Sequence, residues 1–427
     1  MKVISINSSA RTVIDLHIHF VELKASASNL LKDLTASQKG YFTPNEEKQA
    51  KHLLATYQYS RAALFELILE LKEQMNSDSI DTEDQDKYFL IGYAAAAILI
   101  RAAQFLYETF DKQPIVRDKL NEPDAYLGIP PNFYSNIMSS LIETQNVLDV
   151  HYARKYYEKS LDAFKKLAEN HPLLLEVLGI TEKLSDEIKF GKKGFLKMSA
   201  LINLRNLVRE IEDFTVKQAL YSLQELISRG VSKLKTYPFH RPSLPKPIRE
   251  EILKEAQPGD IFITRKEHQM TNYFLPGYWP HALLYLGDGK VLEALKDGVK
   301  VRSIDSAFSV DSIVILRPET NQKEISEAIE RGLKHQGKPY DFDFDFKRSD
   351  RLVCTEVIYR SYDGIGPVHF ELSDNLGRKN LTTNYMLSLA LEKEMLSLIT
   401  VYSPSHEKDL LKGNKAETFL RQVLKIS

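Results

Sequence analysis

Three residues of types that can together break an acyl bond follow one another in the C-terminal half of the chain: His281, Glu293 and Cys354. Cys354 is the only cysteine among 427 residues. A lone cysteine is most often a small buried hydrophobe, and what sets this one apart is its setting. The polar run 347–351 precedes it and the apolar-periodic residues Val357, Ile358 and Tyr362 follow it, so the thiol is predicted at the first turn of a helix. There the free backbone N–H groups and the positive end of the helix dipole favour thiolate over thiol. His281 opens a predicted strand, 282–286, which turns through Gly287-Asp288-Gly289 into another, 291–295. In that hairpin the Glu293 carboxylate can face back toward His281. Thiol, imidazole and carboxylate fill the roles of nucleophile, general base and orienting group.

Further pieces surround these three. The stretch QPGDIF begins at Gln257, and its Pro258-Gly259 turn leads into a predicted strand at 260–264; GKPYDF and then CTEVIY follow from Gly337 and Cys354. Taken in order, these motifs resemble the circularly permuted papain-like hydrolases of the NlpC superfamily, the YiiX/YebB-type group, over about residues 258–402. Histidine precedes cysteine, as expected when the chain is cut so that the nucleophile helix comes last. The resemblance implies attack by Cys354 on a carbonyl carbon, proton transfer by His281, an imidazole oriented by Glu293, and backbone N–H groups with Tyr340 at the oxyanion pocket. It implies an amide substrate, a peptide or cell-wall-like glycopeptide. Related permuted domains resembling lecithin retinol acyltransferase act on lipid esters with the same pair, so a lipid substrate stays open, as does a non-catalytic scaffold role. The carboxylate in the strand after His281, where that group carries a second histidine, favours the amide.

Other residues with chemical capacity have simpler accounts. Asp15-Leu16-His17-Ile18-His19 resembles the paired-histidine strand of metal-dependent amidohydrolases, but that family needs a barrel with further ligands, and the following two hundred residues read as helices. Asp341, Asp343 and Asp345 alternate with phenylalanines, as a strand with one wet and one dry face does. His268 and Tyr273 fall in the loop between the first two strands, and Trp279 is a packing residue beside the site. His335 closes a predicted helix at 322–335, where the dipole favours an imidazolium. Lys189–Phe195, KFGKKGF, is a basic loop. No metal and no cofactor is expected.

The elements that must position the site occupy only part of the chain. A length of 427 residues predicts two or three domains, and 43% hydrophobic with 27% charged residues is ordinary globular composition. The net charge of -1 supplies no basic footprint for nucleic acid, and one cysteine excludes an intramolecular disulfide framework or a cysteine-based zinc site. The opening twenty residues show no secretory signal, and the most apolar run, 89–100, is too short to span a bilayer, so a cytoplasmic protein without a transmembrane segment is expected. The oligomeric state is not legible.

Residues 1–236 are expected to form an all-α bundle, with helices at 43–74, 87–110, 133–169 and 195–234. Four prolines in 237–250 suggest a stiff connector. Residues 251–427 then form the papain-like domain, with further strands at 299–304, 312–317 and around LSLITVY, a helix at 382–392 and an amphipathic C-terminal helix able to dock on the bundle. The fold class is α+β.

Overall fold

The computed structural model describes residues 5–75, 81–124, 129, 131–142, 144–188, 242–267, 278–342, 346, 349–375, 378–404 and 407–424. Two compact units make up the chain, Met1–Thr236 and Tyr237–Ser427. The basic loop 189–195, the helix expected at 195–234, His268, Tyr273, Asp343 and Asp345 lie outside the described residues.

The first unit is helical: α1 (Ile6–Asp33), the single turn α2 (Ala36–Lys39), α3 (Pro44–Met75), α4 (Thr82–Phe110), α5 (Pro114–Asn121), α6 (Phe133–Ile142), α7 (Thr144–Lys159), α8 (Leu161–Ala168) and α9 (Pro172–Glu187). Asp81 caps α4 by accepting from the Asp84 N–H at 2.8 Å, and Glu83 and Asp84 add negative charge to its first turn. From Tyr88 to Ile100 α4 is buried at every position, against α1, α3 and α9. Its helix is longer than the apolar run 89–100, and length and composition would let it cross a membrane; here 83% of its most apolar window is packed inside the protein, as in the central helix of a bundle.

The single helix expected at 133–169 is interrupted at Ser160, whose φ and ψ of -99° and 7° leave the helical path between α7 and α8. Pro172 then starts α9 from its first turn, where a missing N–H costs nothing. His17 and His19 stand on α1, where residues two apart point about 200° away from each other. They cannot share a metal as a strand pair would, and His19 is buried while His17 is half-buried.

In the second unit an antiparallel sheet carries helices on its faces, which makes the whole chain α+β. Its strands are β1 (Ile261–Arg265), β2 (His281–Gly287), β3 (Lys290–Leu295), β4 (Gly298–Ser303), β5 (Ser312–Pro318), β8 (Leu396–Ser403) and β9 (Glu407–Leu411), in the order β4-β3-β2-β1-β5-β8-β9. A separate two-stranded piece pairs β6 (Ser373–Asn375) with β7 (Arg378–Asn380). The helices are α10 (Lys246–Glu255), the short α11 (Asp305–Phe308), α12 (Gln322–Leu333), α13 (Cys354–Tyr362), α14 (Thr383–Glu392) and α15 (Asn414–Leu424).

Both sheet faces are covered, so β1, β2 and β5 read as continuous apolar runs. One face joins Phe262, Leu283, Val291 and Ile315 to Leu244, Ile248 and Ile252 in a single core cluster. Those last three residues correct the expected connector at 237–250: α10 starts inside it, with Pro245 as its cap and Pro247 in its first turn, and Leu244 is 1% exposed. α15 packs on α14 and β8 within its own unit.

Candidate active site

The helix that begins at Cys354, α13, is held from both ends. At its far end the Tyr362 hydroxyl donates to the Gly259 carbonyl. Gly259 has φ +94°, and a Cβ there would lie 2.5 Å from Ile325 and 2.8 Å from the Tyr362 oxygen, so the Pro258-Gly259 turn is a seat for α13 that only glycine provides. At its near end the Pro339–Asp341 stretch pairs with the strand-like residue before the helix. Leu352 N–H donates to Pro339 O at 3.0 Å and Asp341 N–H to Leu352 O at 3.2 Å, with a parallel bridge between Tyr340 and Leu352. This pairs Tyr340, whose ring packs edge-on against Phe342 at 5.0 Å, with a residue two before Cys354 in the chain. Val353 caps α13 without any side-chain hydrogen bond, and the first intrahelical bond is made by Val357 N–H. The N–H groups of the first turn are therefore left for other acceptors.

Register explains how the hairpin supplies the other groups. Leu284 pairs with Leu292, so the next step sets Glu293 opposite Leu283, and His281 becomes its diagonal neighbour on the same face. Across the next strand pair Glu293 lies opposite Lys300, which makes Arg302 its diagonal neighbour in turn. The result is a line of side chains crossing β2, β3 and β4. His281 Nε2 meets Glu293 Oε2 at 3.0 Å; Ser306, from α11, donates to Glu293 Oε1 at 2.5 Å; and Arg302 Nε lies 3.3 Å from the same oxygen. Arg302 also pairs with Asp297, in the β3–β4 turn, which takes Lys300 as well.

Cys354 is buried and hydrogen-bonds to His281. Since Nε2 is occupied by Glu293, Nδ1 is the nitrogen left for the thiol. Burial on its own raises the Cys354 pKa; the charge and hydrogen bond of His281, followed by the backbone N–H groups of Ala282 and Thr355, outweigh it and bring the thiol below its ordinary value. For His281 burial acts downward, and the Cys354 thiolate and then Glu293 overcome it, pushing the imidazole up to about 9. Burial would raise Glu293, but His281, Ser306 and Arg302 draw it down to about 2. The arrangement favours a thiolate–imidazolium pair backed by a charged carboxylate.

His281, Glu293 and Cys354 are thus brought together, and Tyr340 is bridged to Leu352, two residues before Cys354 in the chain. Arg302 and Ser306, which complete the surroundings of Glu293, were not singled out from the sequence; the register set by the Gly298 turn is the signal that leads to Arg302. Trp279 is fully buried, and its carbonyl accepts from Thr383 Oγ1. His335 differs from expectation. It lies beyond the end of α12, where burial and then the Lys338, Arg360 and Arg331 charges take it down to about 4, and Lys338 Nζ approaches its Nδ1 at 2.9 Å. It is a neutral acceptor there, because nearby cations outweigh the helix dipole. Asp341 is buried at the foot of α13, facing Glu356.

Residues 255–405, about a third of the chain, match the family model of the permuted papain-like amidase enzyme, YaeF/YiiX, C92 family. The match contains His281, Glu293, Tyr340 and Cys354, and it supports a hydrolase acting on amide bonds. No curated protein and no solved structure matches the chain.

Proposed function

We propose that the second unit is a cysteine amidase whose nucleophile is Cys354, whose acid–base group is His281 and whose orienting carboxylate is Glu293. The observation that carries this reading is the shared imidazole: one ring nitrogen is bound by Glu293 at 3.0 Å while the other serves the only thiol of the chain. A buried cysteine acting as a packing residue has no need of a charged relay behind it.

In the reaction the Cys354 sulfur forms a bond to the amide carbonyl carbon, and the carbonyl π pair moves onto oxygen. The uncapped N–H groups at the start of α13 receive that oxyanion. When the carbonyl re-forms, the C–N bond breaks and His281 gives its Nδ1 proton to the departing amine. Water then attacks the thioester, His281 takes the water proton, and the thiolate leaves to restore the ion pair. Glu293 keeps the ring oriented throughout and stabilises the imidazolium whenever His281 carries its second proton, while Tyr340 lines the pocket. The substrate is a peptide or cell-wall-like peptide amide.

The test is trapping. Incubating the full chain with a panel of acyl-peptide amides, quenching in acid and weighing the protein should show an acyl adduct on Cys354 that vanishes in Cys354→Ala and does not accumulate in His281→Ala. Adducts formed only with lipid esters would move the activity to acyl transfer from lipids, and a chain that forms none would remove the enzymatic reading.

A further inference from the structure

Two residues beyond Cys354, in the first turn of α13, stands a carboxyl group that the reaction does not use. Glu356 is fully buried. Its Oε1 accepts from Arg360 Nε at 2.8 Å and Nη2 at 2.6 Å, whereas Oε2 is buried with no hydrogen-bond partner among the described residues. Asp341, whose N–H pairs with Leu352, is also fully buried, and its charge bears on Glu356. β2 and β3, which pack on α13 as well, bring His281 and Glu293 to the thiol, and α12 brings Arg331 to the Asp363 carbonyl at the far end of α13. Burying a carboxyl oxygen without a partner costs stability, and a position needed only to fill the core is better served by an apolar side chain of the same length.

What the carboxyl does is visible in the helix cap. A helix start can be closed by two reciprocal bonds, in which the cap side chain accepts from the N–H three residues on and the side chain there accepts from the cap N–H. Val353 has no oxygen with which to make the first bond, and Glu356 makes the second by accepting from the Val353 N–H. One N–H at this end is thereby taken. Those of Cys354 and Thr355 keep no intrahelical partner, and the Thr355 N–H turns to the sulfur. Leu352, just before the cap, is paired with the Pro339–Asp341 stretch, so the same bond holds the helix start against the segment that carries Tyr340.

We infer that Glu356 is a positioning residue of the oxyanion pocket, its carboxyl fixing the Val353 N–H so that the N–H groups of Cys354 and Thr355 keep their direction toward a reacting carbonyl. The inference rests on the amidase reading. The carboxyl suits this place while it is uncharged. Burial, opposed by Arg360 and assisted by Asp341, pushes Glu356 up to about 8. Below that pH it accepts a bond without opposing the negative charge that develops beside it, and above that pH a second carboxylate near Asp341 works against the oxyanion.

The experiment compares two reactions of the single thiol in the full chain. Alkylation by iodoacetamide forms no oxyanion, whereas acylation by p-nitrophenyl acetate does, as the sulfur bonds to the acetyl carbon before p-nitrophenolate leaves. Both need the thiolate, so the ratio of acylation to alkylation rate reports on the pocket. Glu356→Met, which keeps the length and removes the acceptor, should lower this ratio about tenfold or more, and Glu356→Gln, which keeps an acceptor, should recover most of that loss. In the wild type the ratio should fall as pH rises through about 8 and stay level in Glu356→Gln, a comparison that decides the matter if circular dichroism shows Glu356→Met unfolded. A ratio unchanged by Glu356→Met or, where that variant does not fold, level in the wild type as well, overturns the inference and leaves the amidase reading standing. A wild-type thiol that alkylates but never acylates removes that reading, and the inference with it.

Discussion

Removing the imidazole tests the thiolate–imidazolium pair most directly, because alkylation of the intact chain reports on Cys354 alone. In His281→Ala the charge and the hydrogen bond that lower the thiol pKa disappear. Burial, which raises it, then acts against only the Ala282 and Thr355 N–H groups. The thiol should return to its ordinary pKa of ~8.5 or above, where about 0.3% is thiolate at pH 6. A thiol held below that value by the imidazolium carries a larger thiolate fraction at pH 6, and full ionisation sets the ceiling of the loss at ~300-fold. Part of this is given back, since a thiolate gains roughly threefold in intrinsic nucleophilicity for each unit by which its pKa rises. The expected net loss in iodoacetamide labelling rate at pH 6 is therefore ~10- to 100-fold, closing as the pH approaches 9. Ultraviolet absorbance of the thiolate, which does not depend on reagent access, should show the same shift in a pH titration. Equal labelling rates for the two proteins at pH 6 would refute the pair, and a wild-type thiol that labels only after denaturation would refute the nucleophile.

Glu293→Gln should slow turnover about tenfold or more and move the alkaline limb of the labelling profile down from about 9, since the imidazolium loses its carboxylate; an unmoved limb would show that Glu293 does not act on His281. It should also lower the melting temperature, because Arg302 loses the buried charge it faces. Burial, opposed by Arg360 and assisted by Asp341, pushes Glu356 up to about 8, so the folded state holds this proton more tightly than the unfolded one. Stability should then fall as pH rises from about 4.5 to about 8 and level off above, and Glu356→Gln should flatten that fall in melting curves taken across the range; a wild-type profile already flat there would mean that Arg360 keeps the carboxylate charged. A fragment beginning at Pro242 should fold cooperatively, whereas one beginning at Glu251 should not, because it lacks Leu244 and Ile248 from the core; Leu244→Ala in the full chain should cost about 2–5 kcal/mol in denaturant unfolding.

What was legible in the sequence follows from how far each signal reaches. β1 to β5 fall within about a residue of expectation because punctuation with local meaning bounds them: Pro258-Gly259 before β1, and Gly287-Asp288-Gly289 between β2 and β3, where all three residues take positive φ. β9 was missed because Glu-Lys-Asp-Leu-Leu has no apolar alternation, and its pairing with β8 comes from tertiary context. Proline misled at 237–250. Four prolines within ten residues suggest an extended connector, yet proline is equally at home in the first turn of a helix, and only the burial of Ile248 and Ile252 separates the two cases.

The same distinction governs the site. Cys354 stood out as the only cysteine, and His281, one of 11 histidines, because like Cys354 it stands at the start of an element, where backbone geometry sets direction. Glu293 was visible because a hairpin fixes its partner strand. Arg302 and Ser306 were not, since a strand arginine and a serine in a short helical turn look like solvent-facing residues until β4 is placed in register beside β3. Yet they matter to how the carboxylate works. A lone carboxylate beneath an imidazole could take its proton; one that accepts from Ser306 and faces the Arg302 charge is held well below the ordinary carboxylate range, so the proton stays on the ring. Arg302 is itself shared with Asp297, which also takes Lys300, so the cation is anchored to the β3–β4 turn and does not depend on Glu293 for its position. The turn at Gly298, the register of β4 and the protonation state of His281 are in this way one chain of cause, running from backbone geometry to the charge beside the Cys354 thiol.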